Sequence, residues 1–226
     1  MPKFIEELVS NQVRRSEIAR QQKKDIGEVC PHPVITISRA MGSGARIIAE
    51  KLAERLGWSL WDKDLIDAMA KDATVSNRIV EAFDEHAVSE IEALARSMLG
   101  DHDMGGFMYG KHLAKALAAI AKLGNAIILG RGAYFFLPKA LNIRIDASEE
   151  FRVKNMMAFE SLSHHDALEK IHRSDKDRGE FMIRLVGKER VEHARHDITI
   201  WMDEFSNDDA VEIIETAAKV WCRKGS

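Results

Sequence analysis

Five short apolar runs punctuate this chain, and between them apolar residues recur every three or four positions. The runs at Val34–Ser38, Trp58–Trp61, Ala126–Leu129, Leu141–Ile145 and Ile198–Trp201 predict strands, of which Ala126–Leu129 and Leu141–Ile145 read as buried parallel ones. Helical periodicity predicts a helix after Gly44 that buries Ile47, Ile48, Leu52 and Leu56 and stops at Gly57. Further helical stretches lie near 63–72, 76–99 and 110–123, with a mobile loop expected at Gly100–Gly106. Ser148 is placed to cap a helix running to about Ser161, Ser163 starts another that carries charge at nearly every exposed position through Arg178, and 208–221 forms a closing helix. Strands separated by helices mean right-handed βαβ units, one parallel sheet and a ligand crevice at its carboxyl edge. Residues 3–27 are polar and helix-prone, with a sparse stripe of Phe4, Ile5, Leu8, Val13 and Ile18 that predicts an arm lying outside the core.

Composition narrows this picture rather than changing it. The 226 residues suit one elaborated α/β domain. With 33 basic and 36 acidic residues the net charge is −3, so no global field draws the chain to nucleic acid or to an anionic membrane. An anion site must therefore be built locally. Cys30 and Cys222 are too few and too far apart for a disulfide framework or a metal clip, and no signal peptide or long apolar run is visible, which predicts a cytoplasmic protein with no membrane partner.

The candidate chemistry begins where the first strand meets Gly42-Ser43-Gly44 and turns at once into a helix. That order aims backbone N–H groups and a helix dipole at one point, a phosphate-binding arrangement. The P-loop pattern G-x-x-x-x-G-K-[ST] would place Lys at position 45 and a hydroxyl at position 46, where Ala45 and Arg46 stand. Arg46, or Arg39 from the loop's other side, is expected to replace the lysine in part. Magnesium would be held mostly by phosphate oxygens and water, with Ser43 a weak candidate ligand. Arg131 sits between two glycines after a buried strand and reads as an anion-gripping residue, with a structural salt bridge as the alternative. Arg152, Arg173 and Arg178 follow on later helices, where a salt-bridged surface is the alternative. His164, His165, His172, His193 and His196 cluster without metal-ligand spacing. Trp58, Trp61, Met156 and Met157 read as core.

With these residues in hand, the chain resembles the cytidylate-kinase-like family, a divergent branch of the P-loop nucleoside monophosphate kinases, from about Pro33 to Trp221. The marks are Ile37-Ser38-Arg39 leading into Gly42-Ser43-Gly44-Ala45-Arg46, then Trp61-Asp62-Lys63-Asp64-Leu65-Ile66, Gly130-Arg131-Gly132-Ala133, and Ile145-Asp146-Ala147 with Arg152. Asp175-x-x-Arg178 and His196-Asp197-Ile198-Thr199-Ile200 complete them. Gly132 or Ala133 stands where cytidylate kinases carry an aspartate.

The resemblance implies a three-layer α/β fold with a five-stranded parallel sheet, a helical acceptor-binding region at 62–123 and a lid at 173–190. The domain spans 33–226 behind an arm at 1–32 that could support an oligomer. It implies ATP as phosphoryl donor with Mg2+, and a nucleoside monophosphate such as CMP or dCMP as acceptor. Arg39, Gly42, Ser43, Gly44, Ala45 and Arg46 would bind the donor, Asp62, Arg131 and Arg152 the acceptor, and Arg46, Arg173 and Arg178 would act in catalysis. A nucleotide-binding regulatory module that lost the chemistry, and a kinase for another small acceptor, are the competing readings.

Overall fold

The computed structural model describes residues 2–21, 33–71, 79, 83, 85–99 and 108–223. All five predicted strands are present: β1 (Val34–Arg39), β2 (Ser59–Trp61), β3 (Ala126–Leu129), β4 (Leu141–Asp146) and β5 (Ile198–Trp201). They form one all-parallel sheet in the order β2-β3-β1-β4-β5, so β1 is central and its carboxyl end lies between those of β3 and β4. The helices are α1 (Pro2–Gln21), α2 (Ala45–Leu56), α3 (Lys63–Lys71), α4 (Glu85–Leu99), α5 (Met108–Leu123), α6 (Ala133–Phe136), α7 (Glu149–Glu160), α8 (His164–Val186), α9 (Lys188–Glu192) and α10 (Asn207–Arg223).

Strand alternation divides the core in two. Ile35, Ile37, Ile127 and Leu129 face the layer of α2 and α10, whereas Val34 and Ile128 face α3, α4 and α5. A separate apolar cluster of Val153, Met156, Ala167 and Ile171 joins α7 to α8. The caps are where the sequence places them: Ser148 Oγ accepts from the Phe151 amide and Ser163 Oγ from the Asp166 amide, each at 3.2 Å.

Several expectations need correction. The N-terminal helix is part of the core: Val9 and Val13 are buried beside Trp61 and Leu65, while Phe4 and Ile18 of the predicted stripe are exposed. Gln12 Oε1 accepts from the Leu60 amide at 2.9 Å, and Ser16 Oγ donates to Ser59 Oγ at 2.8 Å, so α1 covers the edge strand β2. The helix begun at Ser163 runs through Gly179 to Val186, where Leu185 and Val186 find places in the main core. Met157 is exposed, on the outer side of α7 from buried Met156. The expected loop at Gly100–Gly106, the segment 72–78 and Cys30 lie outside the described residues. No helix among the described residues is long and apolar enough to cross a membrane.

Candidate functional site

A cleft of about 1440 Å³ opens at the carboxyl ends of the central strands, walled by the loop after β1, the turn after β3, and helices α7 and α8. Arginines enter it from every wall. The floor is the glycine loop, where Gly42 and Gly44 adopt left-handed backbone (φ 83° and 81°). A Cβ on Gly42 would lie 2.7 Å from the carbonyl oxygen of Arg152, and one on Gly44 2.9 Å from Asn207 Oδ1, so both positions require glycine. Asn155 Nδ2 donates to the Gly42 carbonyl at 2.9 Å and ties the loop to α7. No side chain caps α2, in contrast to α7 and α8, which leaves the first-turn N–H groups and the positive end of the dipole directed at the cleft.

The two arginines that flank the loop differ sharply. Arg46 is 67% exposed and already paired, with Glu50 at 3.0 Å and Asp62 at 3.6 Å. Its hydrogen bond to Glu50 raises its proton affinity. Arg39 is half-buried, and no ion pair holds it among the described residues. Burial, then the nearby cations Arg178 and Arg46, lower its guanidinium to about 10. Ala45 puts only a buried methyl where a P-loop lysine would stand. Asp62 is off the cleft lining: its Oδ1 accepts from the Asp64 and Leu65 amides at 3.1 Å and caps α3.

After β3, Gly130, Arg131 and Gly132 all have positive φ, 92°, 52° and 64°. For Arg131 that conformation is strained, and such strain concentrates at functional positions. Its guanidinium binds Asp67 of α3 and lies 4.8 Å over the ring of Phe181 on α8, while Nε is buried without a hydrogen-bond partner among the described residues. The phosphate-gripping candidate therefore lines the cleft with a carboxylate already on it.

On the far wall, Arg152 is 8% exposed and donates to Asp175 Oδ2 at 2.7 Å. Arg178 donates to the other oxygen of Asp175 at 3.0 Å, and burial lowers its proton affinity. One carboxylate thus fixes two arginines from two helices. Arg173 is exposed at the cleft rim. Sequence reading brought Arg39, Arg46, Arg131, Arg152, Arg173 and Arg178 to one cleft, and all six line it.

It missed Lys63, Arg144 and Tyr134, which line the same cleft. Arg144 offered a signal, a lone cation inside an apolar strand; its Nε donates to Asp146 Oδ2 at 2.8 Å. Tyr134 stacks on His196 with ring centroids 4.4 Å apart, and burial pushes its hydroxyl up to about 12. Elsewhere His172 pairs with Glu149 and His193 Nδ1 meets the Glu189 carbonyl; no cluster of potential metal ligands occurs among the described residues.

The model of the cytidylate kinase-like family matches residues 34–204, from the first residue of β1 to beyond β5. The chain belongs to the cytidylate kinase-like family. Its fold is also that of a solved structure. An uncharacterized protein from Eubacterium ventriosum ATCC 27560 superposes with a TM-score of 0.53 at 22% identity, over 83% of this chain and 98% of that one. TT1252 from Thermus thermophilus gives a TM-score of 0.41 at 18% identity, over 82% and 98%. No curated protein matches the sequence. The span matched to the cytidylate kinase-like family contains the glycine loop, Gly130–Gly132 and α8, so every wall of the cleft lies within it.

Nucleotide phosphates fit this cleft on its own terms, through the uncapped α2, the two obligatory glycines and the half-buried Arg39. Magnesium finds no ligand in the loop: Ser43 is buried with its hydroxyl on the Ala40 carbonyl at 2.9 Å, and position 46 is an arginine.

Proposed function

We propose that this chain is a phosphotransferase that moves the γ-phosphoryl group of ATP to a nucleoside monophosphate such as CMP or dCMP. The observation that carries this reading is the convergence, in one cleft at the sheet's carboxyl edge, of an uncapped glycine loop with arginines from β1, α2, the turn after β3, β4, α7 and α8. Phosphoryl transfer asks little covalent work of the protein and depends on positioning and positive charge. The N–H groups of residues 42–46 hold the donor phosphates, Arg131 takes the acceptor phosphate, and Arg152, Arg173 and Arg178 close over both. Magnesium would come with the donor, on phosphate oxygens and water rather than on the loop, and would supply charge neutralisation there.

Helices α3, α4 and α5, with residues 173–190, move toward the cleft when ligands bind, which excludes water from the transfer. The test is a panel of nucleoside monophosphates with Mg·ATP, read as nucleoside diphosphate formed; CMP or dCMP should lead. ATP consumed with no diphosphate from any acceptor would reject the reading. A second reading, a nucleotide-binding module without chemistry, is favoured by one observation, the methyl of Ala45 where the lysine would be. ATP binding without product in the same panel would select it.

A further inference from the structure

The cleft holds ten basic side chains, and the ion pairs sort them. Arg131, Arg144, Arg152 and Arg178 are each tied to an aspartate, and Arg46 to Glu50 and Asp62. Lys170 and Arg184 pair with glutamates; of Arg39, Lys63 and Arg173, which have no ion pair among the described residues, Arg39 alone is not exposed, and it lies deeper than Arg46, at the end of the central strand. Its place is prepared on both sides. The glycine loop leaves the strand immediately after it, and a Cβ on Gly130 would sit 2.7 Å from Arg39 Nη1, so Gly130 gives the guanidinium room to lie across the end of β3. Arg178, Arg46 and Arg131, from three different elements, oppose its charge, and the carboxylate of Asp62, which Arg46 already shares, offsets them only in part.

A half-buried guanidinium among three others, with only a carboxylate shared with Arg46 to offset them, is costly without a further anion, and proteins keep such arrangements where an anionic ligand repays the cost. From this we infer that Arg39, and not Arg46, stands in for the absent P-loop lysine: it contacts the phosphoryl group that passes from donor to acceptor. This rests on the phosphotransferase reading above. In the step, an acceptor phosphate oxygen forms a bond to the γ-phosphorus while the bond from that phosphorus to the β,γ-bridging oxygen breaks. The electron pair leaves on ADP. Arg39 exchanges no proton; it supplies charge and N–H donors between the glycine loop and Gly130.

The test compares the full chain with Arg39→Gln, Arg39→Lys and Arg46→Ala. Calorimetry with ATP and with inorganic tripolyphosphate is run beside thermal unfolding without ligand. Arg39→Gln should lose roughly 10–150-fold in affinity for both probes, as expected when a hydrogen-bonded charge is removed. It should melt no lower than the wild type, since a cation without a counter-ion has been removed. Arg39→Lys, which keeps charge but loses the fork, should fall between. Arg46→Ala should lose clearly less than Arg39→Gln. An Arg39→Gln chain that binds both probes like the wild type, or an equal or greater loss in Arg46→Ala, overturns this assignment alone. So does unfolding of Arg39→Gln, which would make Arg39 structural. A wild-type chain that binds neither probe overturns the phosphotransferase reading and this assignment with it.

Discussion

Asp67 binds two partners at once: its Oδ1 accepts from the Tyr109 hydroxyl at 2.6 Å, and its Oδ2 holds the guanidinium of Arg131. The carboxylate therefore occupies the place on Arg131 that an acceptor phosphate would take. In Asp67→Asn the guanidinium loses its counter-charge while remaining only 15% exposed. Stability should drop by about 1–3 kcal/mol, less than for a fully buried pair. Affinity for inorganic phosphate should rise several-fold, because the phosphate no longer competes with a carboxylate. Melting and calorimetry on the same sample check both; weaker phosphate binding in the variant would mean that Asp67 orients Arg131 rather than masks it.

Gly44 meets Asn207 where the glycine loop touches the start of α10. Gly44→Ala should cost about 1–3 kcal/mol through its left-handed backbone, and the contact with Asn207 should displace the loop and weaken ATP binding by more than about tenfold. Adding Asn207→Ala should restore part of the affinity and little of the stability, since only the contact is relieved. Titrating ATP into the single and double variants separates the two effects.

Gly179 lies inside α8, and a Cβ there would touch nothing within 4 Å. Packing does not require this glycine, yet it costs the helix roughly 0.5–1 kcal/mol relative to alanine. It sits between the cluster that joins α8 to α7 and the residues that anchor α8 in the main core. If α8 bends here during closure, Gly179→Ala should melt higher and turn over more slowly. A variant that is more stable and equally fast would place the bend elsewhere.

His196 is held neutral by burial and then by Arg144, against the weaker pull of Asp197, so its pKa lies below the ordinary value near 6.5. Between the two values the unfolded chain binds the extra proton, and folding stability falls as pH drops from about 6.5 through the lowered value. His196→Gln should flatten that acid-side slope between pH 7.5 and 5 in chemical unfolding. An unchanged slope would assign the acid sensitivity to other groups.

The strands and two serine caps were legible because each depends on neighbours in sequence: an apolar run, or a hydroxyl three residues before an amide. The six cleft arginines were legible for a related reason, since the order of strand and helix sends strand ends to one edge. What they touch was not. Arg131 meets Asp67 and Arg152 meets Asp175 only once the chain has folded, and nothing local distinguishes Arg39, which has no ion pair among the described residues, from Arg46, which has two. The docking of α1 was obscured by polarity: the face that seals the core uses Val9, Val13 and Ser16, and the last is buried through a hydroxyl contact that an apolar count ignores.

The contact of Gln12 and Ser16 with β2 makes the matched family region and the folding unit different lengths, for the match begins at Val34 and the sheet's outer strand is completed by residues before it. A chain trimmed to the matched region would carry a bare Leu60 amide and the uncovered apolar surface beside Trp61, an open template for another strand. Such a fragment would keep every cleft residue and still self-associate, and its low activity would be mistaken for a defect of the site when the fault lies at the opposite edge of the sheet.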